Sequence, residues 1–132
     1  MKLLTLFMFG GVFYAGIEVL VREWTHISMF ITGGICFVLI GLLKYTRRSV
    51  LEQMLMACAV ITVLELICGL LVNVWWGMEV WDYSDQPWNF MGQICANASA
   101  IWLYLSFVGI YANELARRGM FKERVEPMRI LP

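Results

Sequence analysis

Between Gln53 and Met78 the chain runs for 26 residues with a single charge, Glu65, and that stretch constrains everything else. It exceeds the roughly 20 residues an α-helix needs to cross the hydrocarbon core of a bilayer. Three further runs, Leu3 to Val21, Ile27 to Leu43 and Pro87 to Asn113, are uncharged or nearly so, and each is long enough to span, the second only just. Backbone amides in lipid must find partners inside their own segment, and none of these runs alternates with the period of two that a barrel strand requires. The expected fold is therefore all-α: a polytopic membrane protein built as a four-transmembrane-helix bundle. Composition agrees, since 61% of the 132 residues are hydrophobic and 15% charged, against about 25% charged in soluble domains. Nothing remains for a soluble catalytic or nucleotide-binding domain.

The net charge is zero, but the charges are unevenly placed. Lys2, the connection holding Lys44, Arg47 and Arg48, and the tail with Arg117, Arg118, Lys122, Arg124 and Arg129 carry nine of the ten basic residues. The connection after the first run keeps only Arg22, and the one after the third offers Glu79, Asp82 and Asp85. By the positive-inside rule both termini are expected in the cytoplasm, a parity that four spans satisfy. The expected division is a transmembrane domain over residues 1–115 and a basic cytoplasmic tail over 116–132. The tail reads either as a solvated stop-transfer segment or as a short helix on the anionic leaflet. The amino terminus is taken as a retained first helix rather than a cleaved signal. Cys36, Cys58, Cys68 and Cys95 lie in apolar runs, where cysteine behaves as a small hydrophobe, so neither a disulfide nor a metal site is expected. No internal repeat is evident.

An ionisable carboxyl in mid-membrane costs several kcal/mol unless it is neutralised, paired or wetted, which makes Glu65 the first functional candidate. Glu18 lies about one turn from the outer end of the first helix and has Arg22 at i+4, so an interfacial ion pair is an equal alternative to a binding role. Asn89, Gln93 and Asn97 are spaced i, i+4, i+8, which on one helix stacks them on one face at a depth that meets Glu65. That stripe reads as a polar lining or as interhelical packing. Gly92, Ala96 and Ala100 beside it permit close helix approach. The outer loop, WWGMEVWDYSDQPWNF, joins an aromatic belt to acids. Trp81, Asp82 and Tyr83 could form a mouth that attracts a cation, or Asp82 with Ser84 could make a turn before Pro87.

The segments YAGIE around Glu18, WTHISMFITGG from Trp24, LELICG around Glu65 and WDYSDQPWNFMGQI from Trp81 together resemble the nominal ABC-transporter permease, or CmpB-like, family of small bacterial membrane proteins. The resemblance covers most of residues 7–105, is most specific at WDYS followed by N-x-x-G, and does not reach the tail. It implies a four-helix membrane domain with a transport role, carried by Glu18, Ser28, Glu65, Trp81, Asp82, Tyr83, Asn89 and Gly92. The segment AGIEV is also similar to the first helix of small multidrug-resistance transporters, whose chains are shorter and lack both the WDYS loop and a second deep glutamate.

The expected function is a small transporter or permease component in the bacterial plasma membrane. Its outward-facing polar site would use Glu18, Glu65, Asn89, Gln93, Asn97, Trp81, Asp82 and Tyr83 to take a cation or small cationic solute. The alternative is a non-transporting structural subunit that assembles with a partner protein. Expected partners are the lipid bilayer, a second copy in a homodimer, and a separate ATPase or other membrane subunit, because the chain has no G-x-x-x-x-G-K-[ST] phosphate loop. No nucleic acid, cofactor or catalytic residue is expected, since the chain has neither a Ser/His nor a metal-ligand constellation.

Overall fold

The structure, a computed structural model, describes residues 1–124 and 126–132; Val125 of the tail lies outside the described residues. Among these the fold is all-helical, with α1 (Lys2–Arg22), α2 (Ile27–Leu42), α3 (Val50–Gly69) and α4 (Ala96–Phe121). A 3-10 turn (Leu43–Thr46) extends α2, and a π-helical segment (Leu70–Trp75) extends α3.

Each boundary has a local cause. A left-handed Glu23 ends α1, and the ring of His26 accepts the Ser28 amide to start α2. Ser49 and Glu52 form a reciprocal capping box on α3, satisfying amides that the first turn leaves without intrahelical partners. Cys95 caps α4 through its sulfur.

Three helical stretches are long and apolar enough to cross a membrane: Lys2–Arg22, Ile27–Thr46 and Val50–Trp75, of 21, 20 and 26 residues. Helix α4 also has 26 residues but is not one of them. It carries Asn97, Ser99, Ser106, Asn113, Glu114, Arg117 and Arg118. The uncharged run from Pro87 therefore does not translate into one apolar helix, because its first nine residues belong to a loop.

Helices α1 and α2 form the tightest pair, and the same eight-residue pattern, aromatic-x-x-Gly-Gly-x-x-aromatic, occurs in both, at Phe7 to Tyr14 and Phe30 to Phe37. A Cβ on Gly10 would lie 2.2 Å from Cβ of Phe37, and one on Gly33 would lie 2.5 Å from Cβ of Tyr14. Gly11 and Gly34 meet the rings of Phe30 and Phe7 in the same way, at 2.8 and 2.6 Å. Each helix thus offers two glycines as a seat for the other's aromatics, an arrangement that tolerates no side chain. The sequence reading missed this short repeat, although both copies run in the same direction along the chain. Cys36, Ile40, Ala57, Ile61 and Ile110 fill the space between α2, α3 and α4, while Leu6, Phe37 and Ala116 join α1, α2 and α4.

At the end holding both termini, Glu123 receives Lys2 at 2.9 Å, Lys44 at 3.0 Å and Arg117 at 3.5 Å. These cations hold its carboxyl well below the ordinary 4.5, at about 2. The tail then turns back. The carbonyls of Arg129 and Ile130 accept the amides of Val50 and Leu51, two of the open donors at the start of α3. Met128 packs against the core between α2, α3 and α4. These described residues after Phe121 form no helix and return to the bundle, which corrects the reading of the tail as a short helix on the leaflet.

Candidate functional site

The region from Trp76 to Cys95 is an ordered loop rather than the start of a helix. Trp88, Met91 and Gly92 adopt positive φ, and no α-helix can include three such residues so closely spaced. Gly92, at φ 71°, is required for space as well: a Cβ there would lie 2.7 Å from Ser84 Oγ and 2.9 Å from Asp82 Oδ1. Asn89 bridges the loop internally, donating to the Gln86 carbonyl at 2.8 Å and accepting the Gly92 amide at 3.1 Å.

The π-helical end of α3 turns Asn73 onto this loop. Its Oδ1 accepts the Val80 amide at 2.7 Å, and its Nδ2 donates to Gln93 Oε1 at 2.9 Å. Gln93 is buried, and its carbonyl accepts the Trp81 indole at 3.0 Å. The stretch from Trp81 to Ser84 then alternates, with Trp81 and Tyr83 turned inward and Asp82 and Ser84 exposed.

The inward side chains close a cavity of about 90 Å³ beneath the loop, lined also by Tyr14, Glu18 and Arg22 of α1, Glu65 of α3 and Trp102 of α4. This is several times the roughly 10–15 Å³ that one water needs. Glu65 is 7% exposed. Its Oε1 lies 3.1 Å from the Tyr83 hydroxyl, and its Oε2 accepts the Trp102 indole N–H at 2.8 Å. Both partners are neutral, and among the described residues no cation forms an ion pair with Glu65.

Glu18 is different. It accepts Arg22 Nη1 at 3.1 Å on one oxygen and the Tyr14 hydroxyl at 3.4 Å on the other. Arg22 also donates to the Val80 carbonyl at 2.5 Å, which ties the C-terminal end of α1 to the loop. Aromatic rings enclose the space between the two acids: Tyr14 and Trp102 stand 5.7 Å apart by ring centroids, and Trp81 and Tyr83 line the same cavity.

Of the residues singled out from sequence, Glu18, Glu65, Trp81 and Tyr83 come together here. The amides do not form the expected helical stripe. Asn89 and Gln93 belong to the loop, and Asn97 sits exposed in the first turn of α4, donating to the Gln86 side chain at 3.2 Å. All three hold the loop together, and none touches Glu65. Asp82 faces outward, where hydrogen bonds from the Ser84 hydroxyl and amide lower its pKa. Glu79 and Asp85 are exposed and do not line the cavity, so the acidic mouth expected there is not part of it. Ser28 serves the start of α2, paired with His26 at 2.8 Å.

Tyr14, Arg22 and Trp102 were missed as site residues. For Arg22 the i+4 spacing from Glu18 was the available signal; Tyr14, one turn before Glu18 on the same face, carried a weaker version of it. Among the described residues no group of three or more His, Cys, Asp or Glu could hold a metal.

A family described as "Putative ABC-transporter type IV" matches residues 5–128. The chain belongs to this family. The match extends past residue 105 and into the tail, correcting the narrower extent expected from sequence. No curated protein and no solved structure matches the chain. The family places the chain among multi-pass membrane proteins with a nominal transport role, in keeping with its three long apolar helices. The cavity shares residues with the most specific element of the resemblance: Trp81 and Tyr83 of the WDYS motif supply its roof, while Asp82, Ser84, Asn89 and Gly92 shape the loop that carries them.

Proposed function

We propose that this protein is a membrane transport component that binds a cation, or a small solute bearing a positive charge, in the cavity between Glu18 and Glu65. The observation that supports this reading best is Glu65 itself, a buried carboxyl facing a cavity with neutral partners only. The indole N–H of Trp102 can only donate, so Oε2 stays an acceptor, whereas the Tyr83 hydroxyl can either donate or accept. Glu65 can therefore hold a proton on Oε1, with the Tyr83 hydroxyl turned to accept it, or lose that proton to water and bind a cation in its place. The rings of Tyr14, Trp81, Tyr83 and Trp102 add the quadrupole faces that favour a cation with an apolar body. Arg22, which pairs with Glu18 and reaches Val80, is the gate at the outer end, and a cation that competes for Glu18 would free it.

In this reading α4 is the fourth span, with its polar face turned inward, both termini lie in the cytoplasm of a bacterial cell, and residues 116–132 are a cytoplasmic tail. Energy comes from proton exchange at Glu65 or from a separate ATPase subunit, and a second copy can assemble through the exposed apolar faces.

The test is uptake of radiolabelled monovalent and quaternary ammonium cations into proteoliposomes across an imposed pH gradient. Wild type should accumulate at least one of them. Glu65→Gln should reduce that flux at least 100-fold while its melting in detergent stays within a few degrees of wild type. Equal flux in both would sink the proposal and leave Glu65 a structural residue.

A further inference from the structure

A second cavity, of about 390 Å³, opens at the opposite end of the bundle from the loop, between the 3-10 turn after α2, the inner half of α4 and the returning tail. Its volume falls in the range of small-molecule sites. Five cations line it, Lys44, Arg47, Arg48, Arg124 and Arg129, against two carboxylates, Glu114 and Glu126. Glu114 is already engaged by Arg118. Lys44 is committed to Glu123 and Arg48 to Glu52, but among the described residues Arg47, Arg124 and Arg129 form no ion pair.

Those three arginines are exposed and are brought together by backbone features that sequence spacing does not encode. Arg47 ends the 3-10 turn in a left-handed conformation. Arg124 follows Glu123 at the ion-pair hub, and Arg129 is anchored by its carbonyl to the Val50 amide at 2.7 Å. Guanidinium groups that line one pocket and form no ion pair among the described residues have the planar fork of donors that suits phosphate oxygens. Basic pockets of this kind at the inner ends of membrane helices suit phosphate-bearing headgroups.

We propose that this pocket binds a phosphate-bearing anion, held by Arg47, Arg124 and Arg129, at the membrane face that carries both termini. The site is independent of the outer cavity and of the transport reading. An anionic phospholipid headgroup and a soluble phosphate would present the same oxygens to it, so the experiment separates the two sources.

The full chain, purified in an uncharged detergent, is titrated with dioctanoyl phosphatidylglycerol, with dioctanoyl phosphatidylcholine and with inorganic phosphate, and binding is read by native mass spectrometry and thermophoresis. The glycerol lipid should bind at least tenfold more tightly than the choline lipid. The triple variant Arg47→Gln, Arg124→Gln, Arg129→Gln should lose at least tenfold of that affinity. Lys122→Gln, an exposed cation outside the pocket, should lose less than twofold, and replacing all three arginines by lysine should retain part of the binding. If the triple variant fails to fold, Arg124→Gln alone should cost about threefold. Displacement of the lipid by millimolar phosphate assigns the site to a soluble anion; resistance to displacement assigns it to the headgroup. Equal affinity for the two lipids together with no binding of inorganic phosphate, an unaffected triple variant or an equal loss in Lys122→Gln would overturn the proposal.

Discussion

The two ends of this bundle each hold an acid, buried at the loop end and half-buried at the other, and they treat it in opposite ways. Glu65 meets two neutral donors, a phenol and an indole, and faces a cavity. Glu123 is surrounded by an ammonium from the amino terminus, another from the end of α2 and a guanidinium from α4. A carboxylate among fixed cations has its charge balanced in one geometry and acts as a latch among chain segments distant in sequence. One held by neutral dipoles in low dielectric still lacks a counter-charge, and a proton or a cation can supply it. Charge balance, more than burial, separates the structural acid from the candidate functional one.

The largest test of this contrast is Arg117→Met. Arg117 is 3% exposed and links Asn113, at 2.8 Å, to Glu123. Removing one partner from a buried charged network costs on the order of 3 kcal/mol. Equilibrium unfolding in mixed detergent micelles should show that loss, with transport per folded molecule unchanged. A stability near wild type would mean Glu123 is no latch.

Trp102→Phe keeps a ring in the cavity wall and deletes the donor to Glu65 Oε2, the only one among the described residues. One hydrogen bond to a charged group contributes about 1.5 kcal/mol, so proteoliposome flux should fall about tenfold while unfolding changes little. A large stability loss with normal flux would make the two acids equivalent and erase the distinction.

Acid titration of stability gives a smaller effect, confined to one pH window. Glu123 is depressed in the folded state to about 2 from an ordinary 4.5. A depressed acid contributes stability that is complete above its unfolded value and disappears as pH falls toward its folded one. The melting temperature should therefore drop between about pH 4.5 and 2, and Glu123→Gln should flatten that limb.

The least effect belongs to Asp82→Asn, which keeps an acceptor for Ser84 and removes only an outward-facing charge. Flux should change less than twofold. A tenfold fall would return the loop acids to the binding site.

Much of this organisation was legible in the chain. Glu65 stood out because nothing else in its run is charged, and the i, i+4 relation of Glu18 and Arg22 offered their ion pair as one of two equal readings. The start of α4 was not legible from charge alone: absence of charge from Pro87 onward looks like a span, yet Asn89 and Gly92 are turn-forming residues in the middle of it. Once that segment became a loop, the four-residue spacing of the amides lost its meaning. Trp102 could not be singled out because its role depends on which way α4 faces, a tertiary property. The joining of the tail to α3 runs through backbone carbonyls, which carry no side-chain signature at all.

The interlocked glycines of α1 and α2 leave that pair no room to shear, since any sliding drives Phe37 or Tyr14 into the opposite backbone. The two helices must travel as one slab. On the transport proposal, a solute would enter the chamber through movement of the other half of the molecule, with the π-helical segment at the end of α3 as the pivot and the Arg22 contact to Val80 as the clasp.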